Sequence, residues 1–246
     1  DWTSTIAIIP WNIYLFYGDS KLLADCYENI KRYIDYVDRT SPSGLTSWGR
    51  GDWVPVKSHS SKELTSSVYF YVDTKILANA AKLFNKQEDY KHYQALAEKI
   101  RQAINDKYLN RETGIYASGV QTELSVPLMW GIVPKDMKAK VARNLAKKVE
   151  EAGFHLDVGV LGAKAILNAL SENGEAETAY KVAAQDTYPS WGCWIANGAT
   201  TLLENWDLNA TRDISDNHMM FGEIGGWFYK GCLLYTSPSP RDKRQS

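Results

Sequence analysis

Apolar positions along this chain recur at helical spacing, while strict apolar–polar alternation is scarce. Leu64, Val68, Val72, Ile76 and Ala80 form an i, i+4 ladder, with Ser60 and Glu63 at capping-box spacing ahead of it. Tyr93, Ala97, Ile100 and Ile104 form a second ladder. Met137, Val141, Leu145 and Val149 form a third, with Pro134 just before it and Gly153 just after, as helix boundaries prefer. The pattern predicts helices over 4–17, 20–38, 62–84, 87–107, 121–131, 135–151, 159–170, 174–185, 197–204 and 217–230. Pro10 either starts the first of these or kinks it.

A weak repeat runs through the pattern. The short turns GDS (18–20), NKQ (85–87) and NGE (173–175) each join a mainly apolar helix to an amphipathic one. The apolar members, TIAIIPWNIYLFY, SVYFYVDTKILANAAKLF and VLGAKAILNAL, suit burial on two sides; their partners keep a charged face for water. This is the signature of repeated αα-hairpins. The long connections, 39–61, 108–120 and 186–196, follow the amphipathic members and carry Trp48, Trp53, Tyr116, Trp191 and Trp194. Short turns on one side and aromatic loops on the other predict a helical toroid with a cleft at its loop-bearing end.

Composition narrows the function classes. The 246 residues are 44% apolar, enough for a substantial core. A net charge of -1, from 28 basic and 29 acidic residues, gives no electrostatic reason to expect nucleic acid or an anionic membrane as partner. No apolar run reaches membrane-spanning length. Cys26, Cys193 and Cys232 lie far apart, and His59, His92, His155 and His218 lack HExxH or HxH spacing, so no metal or other cofactor is expected. The chain opens inside an apolar segment and its last fifteen residues change character after Gly231. That ending, CLLYTSPSPRDKRQS, resembles the translation of a sequencing-library adapter. Residues 1–231 are therefore read as part of a domain, and 232–246 as an artefactual tail expected to be disordered.

The densest chemistry lies in 188–227. There, Trp191, Trp194, Trp206 and Trp227 are interleaved with Glu204, Glu223, Asn217 and His218. Sugar sites need flat apolar faces to cover C–H surfaces and carboxylates or amides to grip hydroxyls and move protons. Glu204, expected at the end of a GATTLLENW helix, is the leading candidate for a general base; the alternative is a carboxylate satisfied at a helix end. His218 is a candidate hydroxyl donor, with Asn217 fixing its loop, or else a structural histidine. Asp52 and Trp53, in GRGDWVP, pair a carboxylate with an indole for stacking and hydroxyl recognition, or form a turn with a packed Trp. Of Trp191 and Trp194, one is expected as a subsite wall and one as core. Glu123, Asp157 and Glu223 are weaker candidates.

In order along the chain, DWTSTIAIIPWNIYLFYGD (1–19), GDWVP (51–55), the 62–84 helix, GVLGAKAILNALSENG (159–174), YPSWG (188–192), GATTLLENW (198–206) and NHMMFGEIGGW (217–227) resemble the catalytic domain of bacterial α-L-rhamnosidases, glycoside hydrolase family 78. The resemblance covers nearly all of 1–231. It implies an all-α fold, an (α/α)6 barrel of twelve helices, of which about ten would be present here and one hairpin missing upstream. It implies hydrolysis of terminal α-L-rhamnosyl bonds in plant glycosides or polysaccharides with inversion. Glu204 matches the water-activating base, His218 a rhamnose contact, and Trp2 and Trp53 aromatics of the sugar pocket. The family's general acid precedes the segment where this chain opens, so these residues alone are expected to hydrolyse little or nothing. β-domains are expected on both sides in the whole protein. Ser4 stands where many members have an aspartate, and Asp216 precedes Asn217 where other residues are common, which leaves substrate preference open. Two other readings remain: another helical-toroid carbohydrate enzyme, either exo-glycosidase or polysaccharide lyase, and a non-catalytic helical-repeat binding module.

Overall fold

The computed structural model describes residues 1–233. Ten α-helices occur among them: α1 (Thr5–Tyr17), α2 (Lys21–Thr40), α3 (Lys62–Leu83), α4 (Gln87–Tyr108), α5 (Gln121–Met129), α6 (Lys138–Glu151), α7 (Val160–Ser171), α8 (Ala176–Ala183), α9 (Trp191–Ala196) and α10 (Glu223–Trp227). A two-stranded ladder, β1 (Leu109–Asn110) with β2 (Ile115–Tyr116), lies within the expected 108–120 loop. The chain divides into two compact units, residues 1–51 with 61–109 and residues 52–60 with 110 onward.

In the first unit α3 packs against α1, α2 and α4. Sixteen of the 22 residues of α3 are buried, whereas α2 and α4 bury one stripe each: Leu23, Tyr27, Ile30, Ile34 and Val37, and Tyr93, Leu96, Ala97, Ile100 and Ile104. Those stripes recur every three or four residues, so one face of each helix stays polar. Ser61 caps α3 by accepting the Leu64 amide at 3.2 Å. The sequence pointed to Ser60, whose buried hydroxyl has no partner among the described residues. Helix α1 runs through Pro10 and buries only Ala7 and Pro10; Ile9 and Phe16, seven residues apart, are 53% and 61% exposed. Burial on two sides, expected for this helix, is thus absent among the described residues.

In the second unit α7 is the central element, with ten of twelve residues buried and packing against α5, α6, α8 and α10. The hairpin turns of both units reverse through residues in the left-handed region, Gly18 (φ 71°), Asn85 (φ 58°) and Gly174 (φ 91°), which ends the preceding helix without strain where glycine or asparagine is available.

Two predicted helices differ. Residues 197–204 are irregular, and α9 instead occupies the end of the expected 186–196 loop, capped by Ser190 Oγ on the Cys193 amide. Gly198, at φ 87°, turns the chain out of α9, and the Glu204 amide and Leu202 carbonyl then bond across to Ser215 and His218 instead of to their own preceding turn. The predicted 217–230 helix breaks into a 3₁₀ turn (Met219–Phe221), α10 and a π-helical turn (Phe228–Leu233). Gly222, Gly225 and Gly226 weaken helix continuity there. From residue 234 the expected tail lies outside the described residues.

Candidate active site

The start of α7 is where the second unit gathers its candidate residues. Asp52 is half-buried, and its carboxylate accepts four hydrogen bonds: from Thr122 Oγ1 at 2.5 Å and from the amides of Gly159, Leu161 and Gly162 at 2.8, 2.7 and 3.1 Å. A carboxylate there satisfies orphan amides and faces the positive end of the helix dipole. Burial pushes the Asp52 carboxyl above its ordinary range, and Thr122 and the three amides pull against that. This corrects the reading of Asp52 as a hydroxyl-gripping group: no oxygen of its carboxylate is left facing a ligand, because both are used in holding α7.

Trp53 follows directly, and its carbonyl accepts the Val160 amide at 2.9 Å. A Cβ on Gly159 would stand 2.2 Å from that carbonyl, so glycine is required for the approach. The rest of this loop is fixed by Asp157, which accepts the Lys57 and Ser58 amides at 2.9 and 3.0 Å and the Ser58 hydroxyl at 2.6 Å. Burial opposes ionisation of Asp157, but Ser58 and these amides outweigh it and hold the carboxyl below its usual value. Trp53 itself is half-buried.

A second loop reaches the same place. Trp206 is buried and donates its indole N–H to the Val158 carbonyl at 2.8 Å. Trp194 stacks on it with ring centres 4.8 Å apart, Trp191 meets it edge-on at 5.3 Å, and Phe221 lies at 4.3 Å. Trp191 donates to the Phe221 carbonyl at 3.0 Å and Trp194 to the Trp206 carbonyl at 3.3 Å. Both are buried, so the expectation that one of the two is a subsite wall is corrected: each is core, its ring faces covered and its N–H satisfied. Tyr116, another loop aromatic, is fully buried as well.

That indole cluster supports the segment bearing Glu204. The Glu204 amide donates to the Ser215 carbonyl at 2.9 Å and the His218 amide to the Leu202 carbonyl at 2.9 Å, so 202–204 and 215–218 form two arms of one loop. The pairing brings Glu204 and His218, fourteen positions apart in sequence, onto adjacent arms. One Glu204 oxygen, Oε2, accepts the Ser215 amide at 3.1 Å. Glu204 is half-buried and makes no ion pair among the described residues. His218 Nδ1 accepts the Met220 amide at 3.2 Å, which puts the proton of the neutral ring on Nε2 and makes that atom a hydrogen-bond donor. Asn217, between them in the loop, is exposed.

Trp2 belongs to the first unit and is 47% exposed, with the Arg50 guanidinium 5.6 Å over its ring. Glu123 is spent on the Ser118 and Gly119 amides and the Ser118 hydroxyl. Glu223 is held by Asn168 at 3.2 Å and lies between Lys164 and Lys230. The sequence reading missed Trp206 and Phe221 as supports, and missed the Gly159–Gly162 cradle; glycines three apart opening α7, beside a GDW loop, were the available signal. Among the described residues no group of three or more His, Cys, Asp or Glu side chains is arranged to hold a metal, and no helix is long and apolar enough to cross a membrane.

Residues 1–232 match the family described as the bacterial alpha-L-rhamnosidase 6 hairpin glycosidase domain. Among solved structures the chain is similar to an alpha-L-rhamnosidase from Dictyoglumus thermophilum, at 38% identity and a TM-score of 0.87 over 93% of this chain and 27% of that one. It is also similar to Streptomyces avermitilis alpha-L-rhamnosidase complexed with L-rhamnose, at 29% identity and a TM-score of 0.86 over 92% of this chain and 22% of the other. An alpha-L-rhamnosidase of Formosa agariphila is 28% identical over 244 residues, 93% of this chain and 26% of the relative. The chain spans about a quarter of the length of the curated relatives it matches.

Proposed function

Because the chain belongs to the bacterial alpha-L-rhamnosidase six-hairpin glycosidase family, and its fold is all-α of that type, we propose that the whole protein hydrolyses terminal α-L-rhamnosyl bonds in glycosides or polysaccharides. Residues 1–231 would be its share of the catalytic domain. Glu204 acts as general base, taking a proton from the water that attacks the anomeric carbon. The observation that carries this is the geometry of its carboxylate: one oxygen oriented by the Ser215 amide, with no ion pair among the described residues to neutralise it. A carboxylate of that kind can orient a water through its second oxygen.

His218 donates from Nε2 to a sugar hydroxyl, since Met220 occupies Nδ1. Asn217 shapes the same arm, and Trp53, held by its carbonyl on α7, offers an indole to the sugar's C–H surface. Trp2 has the corresponding aromatic role in the first unit. Trp191 and Trp194 contribute by backing Trp206 and hence the Glu204 arm.

Base catalysis by Glu204 on water implies inversion, with the acid carboxyl about 6.5–9.5 Å away to leave room for that water. The acid is assigned to no residue of this chain. Proton NMR of the first sugar released from an aryl α-L-rhamnoside by the whole protein tests the stereochemistry. The β anomer should appear first and then mutarotate; initial release of the α anomer would make the second carboxylate a nucleophile and end this reading of Glu204.

A further inference from the structure

One side-chain bond of the Glu204 arm reaches outside that arm. Trp206, two residues beyond Glu204, donates its indole N–H to the Val158 carbonyl at 2.8 Å. Val158 lies in the stretch that leads into α7, and its neighbours there hold the loop of Trp53. The Gly159 amide donates to Asp52 at 2.8 Å and the Val160 amide to the Trp53 carbonyl at 2.9 Å, while Asp157 accepts the Lys57 and Ser58 amides. The Asp157 amide is itself fixed by the Gln121 side-chain oxygen at 2.8 Å. All of these residues belong to the second unit.

The Val158 carbonyl is open to Trp206 because of Asp52. A helix would give that carbonyl the amide four residues on, from Gly162; Asp52 Oδ1 takes that amide at 3.1 Å instead. Val158 and Trp206 are both buried, so the carbonyl needs a donor from the protein, and the indole supplies it. The Trp206 ring is locked where it stands, stacked on Trp194 and closed in by Trp191 and Phe221. On the other side of Glu204, its amide and Oε2 are held by Ser215 at 2.9 and 3.1 Å. Only Asn205 separates Glu204 from Trp206, and its side chain is spent within the loop, on the Arg212 carbonyl at 3.3 Å and the Asp207 amide at 3.0 Å. A short, braced path therefore joins the Glu204 carboxylate to the Trp53 loop, and the Trp206 N–H is the link in it.

We propose that Trp206 is a positioning residue: its bond to Val158 sets the separation between the Glu204 carboxylate and the Trp53 loop, so that base and ring wall act on one bound sugar. The proposal rests on the rhamnoside reading of Glu204 and Trp53. Loss of the N–H then harms proton transfer more than sugar binding. A base displaced by about 1 Å loses rate steeply, whereas stacking and hydroxyl contacts tolerate such a shift.

The test is steady-state kinetics of the whole protein on a fluorogenic aryl α-L-rhamnoside. Two replacements are compared, Trp206→Phe and 3-benzothienyl-L-alanine at position 206, which keeps the size and stacking of the indole and lacks its N–H. Each is made alone and together with Glu204→Gln. Alone, each should lower kcat about tenfold to hundredfold and leave KM within about threefold of the wild type. On top of Glu204→Gln, each should change the rate less than about twofold, as expected of two residues acting through one step. Unchanged kcat, a rise in KM in place of a fall in kcat, or the same fold-loss with and without Glu204→Gln overturns the positioning role. The benzothienyl protein decides the matter should Trp206→Phe not fold; if it too fails to fold, the bond serves the fold at large and the proposal is overturned. A Glu204→Gln protein as active as the wild type overturns the reading of Glu204 and the proposal with it. An impaired Glu204→Gln protein beside silent replacements at 206 overturns the proposal alone.

Discussion

Asp73 sits at full burial in the middle of α3, with Ser4 Oγ donating to it at 2.6 Å. Burial pushes its carboxyl from an ordinary carboxylate value up to about 7, and the Ser4 bond offsets only part of that. A carboxyl raised on folding stabilises the native state below the unfolded pKa of about 3.9, and the contribution drains away as pH rises toward 7. On this basis Asp73→Asn should gain on the wild type across that window, by about 4 kcal/mol at the outside. Melting temperatures measured from pH 4 to pH 8 check it: the difference between the two proteins should widen by several degrees, and a constant difference would contradict it. Ser4 was legible as a departure from the family pattern, but its bond to Asp73 was not, because nothing local links positions 69 apart. Trp191, Trp194 and Asp52 failed in the same way. A residue type shows that a ring can stack or a carboxylate can accept, while its partner, another indole or a helix end, is set by the fold.

The helices were readable where one face is apolar and the opposite face charged. The ladders on α3, α4 and α6 are buried as their spacing requires. The error at 197–204 arose because small and apolar residues also suit an extended arm whose amides pair across the loop, as Glu204 does with Ser215. Periodicity cannot separate those two uses over eight residues. At the start of α7 the close fit of element on element gives a further expectation. Gly159→Ala places a methyl against the Trp53 carbonyl, so either α7 or the Trp53 loop must move. The loss should be about 1–3 kcal/mol, the range for overpacking, read as a lower urea midpoint with an unchanged slope. Unchanged stability would mean that the loop yields freely and does not hold Trp53.

On the scale of the whole molecule, the family was legible because its motifs keep their order along 1–231, and the match over 1–232 agrees with that. The exposed face of α1 was not, since apolar content shows that a helix can be buried and not what covers it. The chain spans about a quarter of the length of the curated relatives it matches, and Glu204 is where the proposed activity meets these residues. The most direct measurement is the hydrolysis rate of an aryl α-L-rhamnoside by the whole protein with Glu204→Gln, an exchange that keeps shape and the Ser215 contact but removes the base. A fall in kcat of about 10²–10⁴-fold, with KM little changed, is the predicted result. Activity within about tenfold of the wild type, below the span expected for a general base, would contradict the assignment.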